Sequence, residues 1–256
     1  MNARVVLPGD QQRLLQGLPG VQALHVGPWR LALVALDGIG ALSAPPRFLT
    51  PDELQVWGRL RFEKRRREWL GGRLVAKAAV SDFLVGQGQS PPAFSAIPIH
   101  NSRDSHDRGR PQCPLAPFVS ISHSHGFAVA VAASQPVGVD LERTRGFSPS
   151  AIDSVFTTEE NDHINRLSYA QRNPARTLNW CCKEAVMKSI GRGVLGWFSD
   201  FELIAGHAGT ETLQWRCSRR LQARLPGKPR LWSAQVEDYS VVLAAMDSQQ
   251  EGRVVA

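Results

Sequence analysis

The same order of secondary-structure signals occurs twice along this 256-residue chain, and that repetition is the strongest constraint on its fold. Each half is predicted to run from a strand through helices to further strands. Each half also carries a helix with aromatic, basic and alanine residues near its middle, REWLGGRLVAKAAV in the first and NWCCKEAVMKSIGRG in the second. The pattern indicates a pseudo-duplicated architecture in which helices and strands are mixed.

The first half is divided by turn and capping residues. Residues 21–36 are apolar and β-branched around a Gly-Pro pair, which predicts two strands and a turn. Thr50 and Glu53 have the spacing of a capping box, and the helical pattern that they open continues to about Leu84. Residues 86–117 are rich in Gly, Ser, Pro and polar residues, so we predict a long loop there.

The second half begins after a strand-like segment. Residues 118–132 form that segment, and we predict that they make a hairpin with residues 137–142 across a Gln-Pro turn. Thr157 and Glu160 again have capping-box spacing and open a helix. A further helix is predicted over about residues 174–190, and the tail of the chain returns to strand patterns.

The composition limits the partners and the compartment. The net charge is +7, which favours polyanionic or acidic partners such as nucleic acid, a phosphate-rich cofactor or an acidic protein. The four cysteines form no CxxC pair, so we expect reduced thiols rather than a zinc site. No stretch approaches the roughly 18 apolar residues of a membrane span, and the N-terminus is unlike a secretory signal. We therefore expect a soluble cytoplasmic protein that uses no membrane.

Two carboxylates follow each other at alternate positions of the predicted strand VGVDLE. Side chains alternate along a strand, so Asp140 and Glu142 point to the same side, with Cα atoms about 6–7 Å apart. Two such acids repel each other unless a cation lies between them, and oxygen ligands of this kind suit magnesium. By itself the pair is more often a pair of solvated acids on an edge strand than a metal site, since D-x-E is a common tripeptide.

A third acid lies on the helix of the second half. Trp180, Glu184 and Lys188 are spaced by four residues and therefore lie on one face. An ordinary Glu–Lys surface pair would have the same spacing, but a tryptophan on the same stripe indicates partial burial. Upstream, Ser122 and His123 lie close to a turn between apolar strands, where a hydroxyl and an imidazole suit a phosphate or another polar ligand.

Taken together and in this order, these segments resemble the 4'-phosphopantetheinyl transferase superfamily, in its larger monomeric type that activates peptide and polyketide synthetases. The family patterns are a Ser-His motif, a G-(V/I)-D-(I/L/V)-E strand and a W-x-x-K-E-(A/S)-x-x-K helix. The resemblance spans about residues 62–193. The matching residues are Ser122-His123, Gly138 to Glu142, Trp180 to Lys188, Phe156 to Glu160, Gly109-Arg110-Pro111, and Arg66 with Trp69 to Arg73.

The resemblance implies an α+β fold of two similar, pseudo-duplicated subdomains, each a small antiparallel-rich sheet packed with helices. The subdomains are expected to cover residues 1–136 and 137–256, with coenzyme A bound in the cleft between them. Mg2+ would be held by Asp140, Glu142 and Glu184. The reaction would transfer 4'-phosphopantetheine to a serine of an apo acyl or peptidyl carrier protein and release 3',5'-ADP.

The resemblance also assigns individual roles. Glu184 would act as the base and Lys188 would stabilise or protonate the leaving phosphate. The residues expected to contact coenzyme A are Arg66, Arg73, Arg110, Ser122, His123, Asp140 and Lys188. Two alternatives stay open, namely another magnesium phosphotransferase or phosphatase, and a nucleic-acid-binding module that uses the basic run from Arg59 to Arg73. No P-loop or RNA-binding aromatic motif supports either one, and the protein is expected to be a monomer that does not bind nucleic acid.

Overall fold

The structure is a computed structural model that describes residues 20–39, 46–104, 109–191, 198–206 and 213–247. The helices of these ranges are α1 (Pro51–Arg59), α2 (Glu63–Gly86), α3 (Pro149–Val155), α4 (Thr158–Arg166), α5 (Tyr169–Ser189) and α6 (Arg219–Gln222). The strands are β1 (Val21–Val26), β2 (Trp29–Ala35), β3 (His100–Asn101), β4 (Pro111–Gln112), β5 (Phe118–Ser124), β6 (Phe127–Ala133), β7 (Val137–Arg143), β8 (Phe201–Ala205), β9 (Gln214–Cys217), β10 (Lys228–Val236) and β11 (Tyr239–Asp247). None of the described helices could cross a membrane.

The main strands form two antiparallel sheets. The first has the order β1-β2-β6-β5, and the second has the order β10-β11-β7. Two short ribbons, β3-β4 and β8-β9, accompany them. The predicted α+β class is therefore confirmed, and all strands of the first sheet precede all strands of the second in the chain.

The sheets and helices are stacked in four layers. Because strand side chains alternate, Ala32 and Val34 of β2 pack with α2, whereas Leu31 and Leu33 face the second sheet. In the second sheet, alternate side chains of β11 pack with α5 on one side and with the first sheet on the other. The order is thus helix, sheet, sheet, helix, and the central core is shared by both sheets.

The same topology recurs in both halves. In the first, β2 leads into α1, α2, a short ribbon and the hairpin β5-β6, and β2 pairs with β6. In the second, β7 leads through α3, α4, α5, a short ribbon and the short helix α6 to the hairpin β10-β11, and β7 pairs with β11; α3 and α6 have no counterpart among the described elements of the first half. Such a recurrence is what a duplicated fold predicts.

A buried ion pair joins the helices of the first half. Glu53 closes the predicted capping box at the start of α1, and its carboxylate lies 2.7 Å from Lys77 Nζ of α2. Lys77 Nζ also donates to the carbonyl oxygens of Phe94 and Ile97, and the N–H of Ile99 donates to Glu53. Lys77 is wholly buried, so these partners replace the water that its charge loses.

An equivalent ion pair joins the helices of the second half. Glu160 of the second capping box lies 2.8 Å from Lys183 Nζ of α5. Lys183 donates to the carbonyl oxygens of Phe198 and Phe201, and the N–H of Leu203 donates to Glu160. The spacing of these backbone groups is the same in both halves. The carbonyls belong to Phe198 and Phe201 here and to Phe94 and Ile97 in the first half, and the N–H belongs to the second residue after them, Leu203 or Ile99. This equivalence of individual hydrogen bonds supports duplication more strongly than the sequence similarity does.

Four sequence expectations are corrected. The helical segment from Thr50 to about Leu84 is two helices, because Leu60 adopts an extended conformation between α1 and α2. The strand over residues 118–132 is itself a hairpin that turns at His125 and Gly126. It does not pair with β7 through its backbone, because β7 pairs with β11 in the second sheet. Helix α5 begins at Tyr169, earlier than expected.

Candidate active site

Strands β5 and β7 are edge strands of different sheets that lie side by side, joined by a row of serine side chains. Ser120, Ser122 and Ser124 alternate along β5 and therefore share one side; we call them the serine row. The Val139 N–H of β7 donates to Ser120 Oγ at 3.0 Å. Ser122 Oγ donates to Asp140 Oδ1 at 2.8 Å. The serine row thus connects the two halves at the acids predicted from sequence.

Close packing of β7 on α5 positions these acids. A Cβ on Gly138 would lie 2.0 Å from the Ala185 carbonyl oxygen and 2.5 Å from Ser189 N, so only glycine allows this approach. Asp140 and Glu142 follow at alternate positions, on the side of β7 that faces α5. Asp140 is only 4% exposed.

An aromatic cluster anchors the α5 face that carries the third acid. The Trp180 ring lies 5.1 Å from the Phe198 ring and 6.2 Å from the Phe147 ring, measured between centroids. Glu184 and Lys188 lie one and two turns further along the same face and are partly buried. The partial burial expected for this stripe is therefore found.

Lys188 bridges the two halves. Its Nζ lies 2.6 Å from Asp140 Oδ1 on β7 and 3.1 Å from Ser122 Oγ on β5. Burial acts to lower the pKa of Lys188, but the negative charges of Asp140 and Glu184 outweigh it and raise the pKa. Lys188 therefore carries a positive charge at neutral pH.

Glu184 is placed to take up a proton near neutral pH. Burial raises its pKa from 4.5 to about 7, and the charges of Asp140 and Glu142 act in the same direction. Lys188 acts in the opposite direction but does not cancel them. A carboxylate with a pKa near the working pH suits a general base.

The donor set fits a hard divalent cation by its chemistry, although the side chains do not enclose one. Asp140 Oδ2 is buried and has no hydrogen-bond partner, which leaves one oxygen for another ligand. The negative charges of Asp140 and Glu142 raise the pKa of Glu184, and a cation bound among the three carboxylates would relieve this repulsion. Within the described ranges, no three His, Cys, Asp or Glu side chains are clustered closely enough to hold a metal ion.

His123 lies on β5 beside the start of α2. Burial lowers its pKa, and its other electrostatic neighbours include Glu68, Arg65, Lys188 and Asp140. Arg65 is an exposed residue of the basic run that sequence reasoning did not assign to the site. The positive charge of Arg65 also lowers the pKa of His123. The two residues are near each other because α2 packs on the first sheet, which the sequence does not show.

Two of the predicted arginines have structural partners in the first half. Arg66 Nε donates to the Leu60 carbonyl at the break between α1 and α2, and its guanidinium lies over the Trp57 ring. Arg73 is 7% exposed and donates to Asn101 Oδ1 at 2.8 Å. Burial lowers the pKa of Arg73 to about 10.

Arg110 lies close to the end of α5 that carries Lys188. A Cβ on Gly191 would be 2.7 Å from Arg110 Nη1, and the Arg110 guanidinium packs over the Phe118 ring. Gly191 follows α5 with a φ of +69°, so glycine suits both its backbone conformation and this contact. Arg110 therefore belongs to the same neighbourhood as Ser122 and Lys188.

Sequence reasoning missed Ser120 and Ser124. The alternation of polar and larger residues in VSISHS was the available signal, since it places three hydroxyls on one side of a strand. That these hydroxyls meet the acids of another sheet could not be read from the sequence.

Family models match most of the described chain. One, described as 4'-phosphopantetheinyl transferase superfamily, matches residues 136–244. Another, described as 4'-phosphopantetheinyl transferase N-terminal domain, matches residues 61–133. Together the two matches cover more than half of the chain.

Curated proteins also show similarity. Enterobactin synthase component D of Escherichia coli O157:H7 is 26% identical to this chain over 155 residues. The aligned part is 60% of this chain and 66% of that protein, so this chain spans just under two thirds of that protein's length. 4'-Phosphopantetheinyl transferase gsp of Aneurinibacillus migulanus is 30% identical over 91 residues, or 35% of this chain and 38% of that protein. A solved structure described as a Chronobacterium ammoniagenes ACPS-CoA complex overlaps 46% of this chain and 100% of its own with a TM-score of 0.36 and 20% identity, too loose an overlap to support an inference.

Proposed function

The chain belongs to the 4'-phosphopantetheinyl transferase superfamily, and from this we propose that it transfers 4'-phosphopantetheine from coenzyme A to a serine of an apo acyl or peptidyl carrier protein. The products are the holo carrier and 3',5'-ADP. The observation that carries the proposal is the meeting of Glu184, Lys188 and Asp140 where the two halves join. A carboxyl group with a pKa of about 7 and a charged lysine lie in one partly buried site, which supports their proposed roles as base and cation.

Glu184 takes the proton of the carrier serine, directly or through water. The serine oxygen then attacks the phosphorus that carries pantetheine and forms a new P–O bond. The bond between that phosphorus and the bridging oxygen of 3',5'-ADP breaks, and the electron pair stays on the ADP phosphate. Lys188 Nζ, which is charged and held by Asp140 and Ser122, stabilises or protonates that phosphate.

Asp140, Glu142 and Glu184 are the proposed ligands of Mg2+. Bound there, the ion would neutralise charge on the pyrophosphate of coenzyme A. The partnerless Oδ2 of Asp140 and the raised pKa of Glu184 support this assignment.

The proposed contacts to coenzyme A differ in their support. Arg110, Ser122 and His123 lie around the site, and we add Arg65 as a candidate because its positive charge lowers the pKa of His123. Arginine suits phosphate because its donors form a fixed fork. Arg66 and Arg73 stay predictions at the adenosine end, since their described partners are structural. Cytoplasmic location, a monomeric state and the absence of nucleic-acid binding also stay predictions.

The test offers coenzyme A, Mg2+ and a panel of apo carrier proteins to the wild type and to two variants, Asp140→Ala and Glu184→Ala. We expect a mass gain of one phosphopantetheine group on at least one carrier with the wild type, and a rate lowered at least about 100-fold in both variants. Asp153→Ala, an exposed acid of α3, is the matched control and should keep the wild-type rate. Near-normal transfer by Asp140→Ala or Glu184→Ala would remove the site assignment. Wild-type protein that modifies no carrier would count against the function.

A further inference from the structure

We propose that Ser124 is a positioning residue that fixes the carboxylate of Glu142 for metal binding. The inference rests on the proposed function, because it concerns one of the proposed Mg2+ ligands. Ser124 lies outside the residues that the family resemblance assigns to the site. It belongs to the serine row, at the end of β5 where β7 presents Glu142.

The contact between the two side chains is short and directional. Ser124 Oγ donates to Glu142 Oε2 at 2.6 Å, and the Arg143 N–H donates to Ser124 Oγ at 3.4 Å. Ser124 is buried, whereas Glu142 is only partly buried at the end of β7. The bond engages Oε2 and so limits rotation of the carboxylate, which leaves Oε1 as the oxygen for a metal.

His125 supports this hydroxyl from the other side. Its Nδ1 lies 3.0 Å from Ser124 Oγ. Because the single hydroxyl proton is given to Glu142, Nδ1 must carry a proton for this contact to be a hydrogen bond. His125 also has a φ of +48°, which is uncommon for a residue with a Cβ and turns the chain directly after Ser124. The hydroxyl is therefore held by groups on both strands.

The other two serines of the row bond different partners, so they help to distinguish an effect on the Glu142 carboxylate from an effect on the contact between the sheets. Ser120 bonds a backbone N–H of β7 and reaches no carboxylate in the described contacts, so it provides a matched control. Ser122 bonds Asp140 and Lys188 and belongs to the proposed coenzyme A contacts, so it is unsuitable as a control. Only Ser124 bonds Glu142 among the three.

The experiment measures Mn2+ binding to the full chain in the presence of coenzyme A, by loss of the electron paramagnetic resonance signal of free Mn2+. Groups that orient a metal ligand typically change affinity by about 10–100-fold when they are removed. We expect Ser124→Ala to bind Mn2+ about 10-fold more weakly, Ser124→Thr to stay within about 3-fold of the wild type because it keeps the hydroxyl, and Ser120→Ala to match the wild type. The Mg2+ concentration for half-maximal transfer should rise in parallel for Ser124→Ala, while kcat at saturating Mg2+ changes little.

A double-mutant cycle keeps the test valid if Ser124→Ala also loosens the fold. In a Glu142→Gln background, Ser124→Ala should cause no further loss of Mn2+ affinity, because its proposed effect on metal binding passes through that carboxylate. Three outcomes would each overturn this inference but leave the proposed function standing. They are wild-type Mn2+ affinity in Ser124→Ala, an equal loss of affinity in Ser120→Ala, and additive losses in the double variant. A wild type that transfers nothing and binds no Mn2+ would overturn the proposed function as well.

Discussion

At the scale of single residues, the three acids of the site have different surroundings and therefore different roles. Asp140 is nearly fully buried and is paired with Lys188 and Ser122, so it is held in place. Glu142 is fixed by Ser124. Glu184 bears the combined repulsion of the other two acids and is the one whose pKa rises to about 7. Glu184 is therefore placed to take up a proton near neutral pH in the metal-free protein.

Glu184→Gln should change how stability depends on pH in the presence of EDTA. In the unfolded chain the carboxyl ionises above about 4.5, but in the folded chain it keeps its proton to about 7. The folded state thus binds more protons between these values, and wild-type stability falls as pH rises through this window and is level above it. The variant lacks this contribution.

Urea unfolding at several pH values between about 5 and 8 checks this prediction. The free energy of unfolding of Glu184→Gln, relative to that of the wild type, should increase from pH 5 towards pH 7–8. Parallel curves for the two proteins would mean that Glu184 titrates normally. Asp153→Gln, at an exposed position, serves as the control and should run parallel to the wild type.

At the scale of elements, the contact between β7 and α5 builds the site. Gly138 brings the strand against the helix backbone, and the aromatic cluster around Trp180 holds the helix face. The acids of β7 and of α5 are close together only because both contacts are made. A change in this packing should therefore affect stability and transfer together.

Gly138→Ala should destabilise the protein by about 3 kcal/mol, because its Cβ would meet backbone atoms that cannot rotate away. Gly58→Ala is the matched control, since Gly58 lies in α1 with nothing within 4 Å of a new Cβ. That variant should be unchanged or stabilised by up to about 1 kcal/mol. Chemical denaturation measures both, and a neutral Gly138→Ala would contradict the close approach of β7 and α5.

The two buried lysines, Lys77 and Lys183, should make similar contributions to the stability of the protein. Lys77→Met and Lys183→Met each remove the lysine that neutralises a buried glutamate, so each should cost about 3–5 kcal/mol, with Lys77→Met towards the lower end because Arg73 still lies 4.0 Å from Glu53. Lys64→Met should cost less than about 1 kcal/mol, because Lys64 is exposed and lies as far as 3.9 Å from Glu68. If only one of the two buried lysines proved sensitive, the equivalence of the two ion pairs would be wrong. Thermal unfolding of the three variants is the measurement.

At the scale of the whole molecule, the two sheets share one core. Leu31 and Leu33 of the first sheet and Val139 and Leu141 of the second belong to the same buried cluster. Trp232 of β10 packs edge-on against Trp29 of β2, with ring centroids 6.1 Å apart. The boundary near residue 136 stays a prediction, but the shared core indicates that the halves unfold together.

Trp232→Ala should lower the stability of the whole chain by about 3–5 kcal/mol in a single transition. Trp232 is buried, and its ring lies so close to Gly27 that a Cβ there would be 2.1 Å away. Far-UV circular dichroism and tryptophan fluorescence should give the same denaturation midpoint. Two separate transitions would mean that the halves are independent domains.

Much of the local structure could be predicted from short-range patterns. The capping boxes at Thr50 and Thr157, the paired acids of β7 and the stripe on α5 depend on residues within a few positions of each other. The hairpin assigned to residues 118–142 failed because strand pairing is decided by distant partners. Local pattern cannot distinguish β11 from β6 as the neighbour of β7.

The sequence by itself determined most of the helices and strands, the face of α5 that carries Glu184 and Lys188, and the family, because periodicity and motif order are local properties. Tertiary structure alone decided that Ser122 and Ser124 bond the acids of another sheet. It also decided that Arg65 acts near His123 while Arg66 is held by α1. The physical reason is that hydrogen bonding and pKa depend on distances of a few ångströms between elements, and these distances are set by how the four layers pack.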